Sequence, residues 1–85
     1  FGPADIAADI GLLGQPLHED VWALIKPAAQ TLIDKGVPVG TLVNDTAFAA
    51  QLLNDGFTFV ACATDTMLLA KACDAALASV RAGIG

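Results

Sequence analysis

The sequence predicts an α/β fold with parallel strands, on three observations. Residues 57–63, Phe-Thr-Phe-Val-Ala-Cys-Ala, are apolar on both faces, as in a parallel strand covered on both sides. Residues 37–43 form a second short, β-branched run, bounded by Gly36 and by Asn44-Asp45. Stretches of helical periodicity alternate with these runs, in the order strand end, helix, strand, helix, strand, helix.

Phe1-Gly2-Pro3 reads as the end of an extended run, because proline fixes φ and glycine permits a sharp turn. Asp5 then falls at the start of a short helix. Two readings are open there. Asp5 either caps the helix, worth about 1 kcal/mol, or stands with the unbonded amides of Ala4 and Asp5 at a point that can hold a metal and a substrate acid together.

Gly11, Gly14 and Pro16 mark an irregular connection. A helix follows from about residues 18–20 to Asp34, with Val21, Leu24, Ile25, Ala28, Leu32 and Ile33 at helical spacing and Gly36 as its stop. Its Pro27 predicts a kink near residues 23–26 or a division into two helices. His18 at its start reads as a surface or capping residue. Asp45 is a good N-cap for a helix through Leu53 that closes at Asp55-Gly56. Thr64 or Asp65 caps the last helix, expected over residues 66–82, whose apolar stripe is Leu68, Leu69, Ala72, Cys73, Ala76, Leu77 and Val80.

Composition narrows the function classes. A chain of 85 residues forms one small domain at most and buries little more than about 60% of its unfolded surface. Its 55% hydrophobic content is high for such a chain, so faces that would be exposed are expected to be covered by something else. Four basic residues, Lys26, Lys35, Lys71 and Arg81, are scattered singly against nine acidic ones, which argues against nucleic acid as a partner. No apolar run nears the roughly 20 residues of a membrane span, so no membrane is expected. Cys62 and Cys73 lie in apolar contexts without metal-ligand spacing, which predicts two reduced core thiols and a cytoplasmic protein. The chain does not open on methionine and is expected to begin inside a longer protein.

In parallel α/β folds, function gathers at the C-terminal ends of the strands. Here those ends are residues 2–5, 42–45 and 61–65, which predicts Asp5, Asp45 and Asp65 on one rim. Asp45 and Asp65 each precede a helix they can cap.

Phe1-Gly2-Pro3-Ala4-Asp5-Ile6-Ala7, followed by Gly11, Gly14, Pro16, His18 and Val21, resembles the late signature of the HpcH/HpaI aldolase family, the class II pyruvate-dependent aldolases. Gly40-Thr41-Leu42-Val43, Gly56 to Ala61 and Asp65 to Lys71 agree with it, and the likeness runs to about Leu77. It implies that residues 1–85 are a C-terminal fragment of one (β/α)8 TIM barrel, from the end of strand 6 through helix 8. The function it implies is a metal-dependent carbon–carbon lyase. Such an enzyme cleaves 2-keto-3-deoxy or 4-hydroxy-2-oxo acids reversibly to pyruvate and a small aldehyde.

By the same resemblance, Asp5 is a ligand of a divalent cation, Mg2+, Mn2+ or Co2+. The amides of Ala4 and Asp5 hold the pyruvate carboxylate, Gly2 and Pro3 shape that loop, and Leu42 lines the aldehyde end. The family's partner glutamate, enolate-stabilising arginine and proton-transfer histidine have no counterpart here, so no catalytic residue is expected in this fragment. The remaining barrel strands, in the same or a separate chain, become obligatory partners. A homo-oligomer, a hexamer by resemblance, is expected, with the last helix on a neighbouring subunit. Departures from the family pattern are Glu19 after His18, Pro27, and Ala61-Cys62-Ala63-Thr64. Two alternatives stand beside this reading: a citrate-lyase-β-like lyase of CoA esters, and a non-catalytic oligomerisation module in which Asp5 is only a cap.

Overall fold

Pro3 occupies the first turn of helix α1 (Pro3–Asp9), a position where its missing N–H costs nothing and its fixed φ suits the helix. The computed structural model describes residues 1–84. After α1 come α2 (Glu19–Asp34), β1 (Gly40–Leu42), α3 (Thr46–Asn54), β2 (Phe59–Ala61) and α4 (Asp65–Gly83). β1 and β2 pair in parallel, Gly40 opposite Phe59 and Leu42 opposite Ala61, so β1, α3 and β2 form a βαβ unit. The α/β class with parallel strands is as the sequence predicts. The strands themselves are shorter than residues 37–43 and 57–63.

Phe1 lies on the other side of β1. Its backbone nitrogen donates to the Gly40 carbonyl (2.9 Å), and its carbonyl accepts the Thr41 hydroxyl (3.1 Å). The order across the sheet is thus the chain start, β1, β2. This is the order in which successive strands of a parallel sheet lie beside one another.

Three helices end in the same way. At α1 the Leu12 N–H reaches the Ala7 carbonyl (2.7 Å), at α2 Val37 reaches Leu32 (2.9 Å), and at α3 Phe57 reaches Leu52 (3.0 Å). In each case the intervening glycine, Gly11, Gly36 or Gly56, has positive φ, the backbone state this closure requires.

The core is Ala7, Val21, Trp22, Ile25, Ala29, Val39, Val43, Ala49, Leu52 and Phe57. Trp22 is at its centre, edge-on to Phe48 (4.7 Å between centroids, 71°) and tilted against Phe57 at 6.4 Å. Its indole N–H is satisfied by the Pro16 carbonyl at 2.8 Å. That bond ties the irregular connection to α2.

Several expectations are corrected. Of the two outcomes expected at Pro27, a kink or a division, the division is excluded, since α2 runs as one helix from Glu19 to Asp34. Its buried face is Val21, Trp22, Ile25 and Ala29, whereas Leu24 and Ala28 are exposed, because the stripe is rotated toward α1 and Phe48. β2 is not covered on both sides: Phe59 is 73% exposed, on a face of the sheet that no described element covers. Cys62 and Cys73 are free and exposed, not core thiols. α4 buries none of its residues, so its stripe from Leu68 to Val80 faces outward, and the molecule extends 56 Å along one axis against 28 and 18 Å on the others.

Candidate functional site

A cavity of about 750 Å³ opens where the strand ends meet. Phe1, Gly2, Pro3, Ala4 and Asp5 line one part of it; Leu42, Val43, Asn44 and Asp45 another; Cys62 and Ala63 a third. The rim predicted from three separate stretches of sequence is therefore one concave surface.

Asp5 is not the cap of α1. Gly2 holds that position without any side-chain cap bond, and Asp5 is the third helical residue, exposed. The first backbone bond of the helix runs from the Ile6 N–H to the Gly2 carbonyl (3.0 Å), which leaves the Ala4 and Asp5 amides at the unbonded end.

 Ala4 and Asp5 both line the cavity, and their amides belong to the unbonded start of α1. The Asp5 carboxylate leans back over Gly2, where its Oδ2 would be 3.2 Å from a Cβ, so a side chain at residue 2 would press on it.

Asp45 also lines the cavity, but its carboxylate is engaged. Oδ1 accepts the Phe48 N–H at 2.9 Å, the N-cap bond of α3. Asp65 does not line the cavity, and its Oδ1 accepts the Thr66 N–H at 2.8 Å, while Thr64 caps α4. The three-carboxylate rim is therefore corrected to two, since the turn into α4 directs Asp65 to its own backbone. His18 caps α2, its Nδ1 accepting the Asp20 N–H at 3.1 Å, as its position in the sequence implies.

Among the described residues no group of three or more His, Cys, Asp and Glu side chains gathers to hold a metal. Of the two carboxylates that line the cavity, Asp5 is the one that caps no helix, and it is a hard oxygen donor of the kind Mg2+ and Mn2+ prefer. These residues fit one corner of a divalent-cation site, and a shell of about six ligands requires others.

Pro16, Leu17, Cys62, Met67, Leu68 and Lys71 complete much of the wall. Of these, the α4 residues Met67, Leu68 and Lys71 were not legible as site residues. Their spacing places them on one side of a helix, but the direction in which α4 leaves β2 decides whether that side meets the cavity.

The family model described as HpcH/HpaI aldolase/citrate lyase matches residues 1–72. The chain belongs to this family. It is 46% identical over 81 residues to the hydroxypyruvate/pyruvate aldolase of Cupriavidus necator, covering 95% of this chain and 30% of that protein. It is 40% identical over 75 residues to the 4-hydroxy-2-oxo-heptane-1,7-dioate aldolase of Escherichia coli, covering 88% of this chain and 29% of that protein. A crystal structure of an HpcH/HpaI family protein from Burkholderia cenocepacia superposes with a TM-score of 0.81 at 36% identity, over 94% of this chain and 31% of the other. The chain thus spans about a third of the length of these HpcH/HpaI relatives. No helix among the described residues is long and apolar enough to cross a membrane.

Proposed function

We propose that residues 1–85 are the C-terminal part of a (β/α)8 barrel, from the end of its sixth strand through its eighth helix, and carry the pyruvate-holding corner of a divalent-metal-dependent aldolase. The reaction is reversible cleavage of a 4-hydroxy-2-oxo or 2-keto-3-deoxy acid to pyruvate and an aldehyde. The observation that supports this reading is that Ala4 and Asp5, at the unbonded start of α1, line one cavity at the strand ends. The names of the Cupriavidus necator and Escherichia coli relatives support the same reaction class.

In this reading the amides of Ala4 and Asp5 donate to the pyruvate carboxylate, and Asp5 supplies one ligand to the cation. When bound, Mg2+, Mn2+ or Co2+ supplies Lewis-acid stabilisation of the negative charge that develops on the keto oxygen. Gly2 and Pro3 shape the turn, and Leu42, 44% exposed, gives the aldehyde an apolar wall. The remaining ligands and the proton-transfer group come from the rest of the barrel.

Assembly follows from the same proposal. Leu69, Leu77 and Val80 on α4 are 67%, 50% and 61% exposed, an apolar surface that suits cover by the other barrel strands and by a neighbouring subunit of a homo-oligomer. The free thiols of Cys62 and Cys73 are consistent with a reducing compartment such as the cytoplasm.

The test is Asp5→Asn in the full-length protein, with Mn2+ binding followed by electron paramagnetic resonance and pyruvate release by a coupled assay. Loss of both, with an unchanged circular dichroism spectrum, is expected. Retention of metal-supported turnover would refute Asp5 as a ligand.

A further inference from the structure

Resting on the aldolase reading, we propose that Lys71 selects for aldehydes that carry a negative charge. Among the described residues, Lys71 is the one basic side chain in the wall of the cavity, which it shares with Asp5 and Asp45. Two carboxylates share the wall with this one ammonium, but each has a role of its own. Asp45 accepts the Phe48 N–H as the cap of α3, and Asp5, in the proposed reaction, faces a cation.

Lys71 has no such commitment. The one ion pair among the described residues joins His18 to Asp20. The other basic side chains lie elsewhere: Lys26 stands over the Phe48 ring at 5.9 Å, Lys35 follows α2, and Arg81 is in the last turn of α4. Met67 and Leu68, which line the same cavity one turn earlier on α4, give the Lys71 stem an apolar track while its ammonium stays polar.

An uncommitted ammonium in a largely apolar wall is a point charge for a carboxylate or phosphate at the far end of the aldehyde. The carbon–carbon chemistry is untouched by it. Lys71 sets which aldehyde is captured, not how the bond breaks.

The experiment compares kcat/KM for aldol addition of pyruvate in the full-length protein and in its Lys71→Gln and Lys71→Arg variants. The acceptors are succinic semialdehyde, glyceraldehyde 3-phosphate and the neutral butyraldehyde. The expected result is a fall of about tenfold in the ratio of anionic to neutral kcat/KM in Lys71→Gln, the scale of one charge-assisted hydrogen bond. The fall should be expressed mainly in KM, with recovery in Lys71→Arg. Which anionic acceptor loses more distinguishes a carboxylate from a phosphate ligand. An unchanged ratio in Lys71→Gln overturns the role of Lys71 while the aldolase reading stands. Absence of addition by the unmodified protein with every acceptor overturns both.

Discussion

The Thr41 hydroxyl donates to the Phe1 carbonyl across 3.1 Å, joining two residues 40 apart in sequence. Thr41 is 8% exposed and is the buried polar residue of the core region, so this bond anchors the Gly2 to Asp5 turn to β1 from inside. Removing it leaves a carbonyl without its partner. Thr41→Val, which keeps the shape, is expected to cost about 1 to 2 kcal/mol, read as a lower urea midpoint of the full-length protein.

Gly40 predicts a steric effect at the same strand. A Cβ there would sit 2.9 Å from the Phe59 carbonyl oxygen, a backbone atom that cannot rotate away. Gly40→Ala is expected to push β1 and β2 apart at a cost of about 2 kcal/mol. Gly83→Ala, with nothing within 4 Å, is the control and should show no loss in the same denaturation experiment.

Pro27 gives a prediction of the opposite sign. It is exposed, and it interrupts the hydrogen-bond ladder of a helix that nonetheless continues from Glu19 to Asp34. Pro27→Ala returns a donor to the Ala23 carbonyl and is expected to stabilise the protein by about 1 to 3 kcal/mol, visible as a raised Tm.

Asp45 separates capping from ligation within one cavity. Asp45→Ala removes the acceptor of the Phe48 N–H and is expected to cost about 1 kcal/mol. Calorimetric titration with Mn2+ should give an affinity close to that of the unmodified protein, in contrast to Asp5→Asn. A large loss of Mn2+ affinity would make Asp45 a second ligand.

What was legible in the sequence is what short-range chemistry decides. Asp45, Thr64 and His18 cap helices because a side-chain oxygen or nitrogen finds an amide two or three residues on. The strand ends at residues 2–5 and 42–45 could be placed in one cavity because parallel βα order alone brings such ends together. Burial was harder. Leu24 and Ala28 share helical periodicity with Ile25, yet the rotation of α2 against Trp22's partners leaves them outside. Cys62, Phe59 and the α4 stripe read as core from composition, but their cover depends on surfaces more distant than any periodicity records. Asp5 is ambiguous in the sequence because a first-turn acid and a cap differ by a few residues, and the position of Gly2 excludes it as the cap.

The closures at Gly11, Gly36 and Gly56 each join residues only five positions apart. None waits for a strand to pair. The lengths of α1, α2 and α3 are therefore written into the chain beside them, while their stability comes from packing, since helices this short are marginal alone.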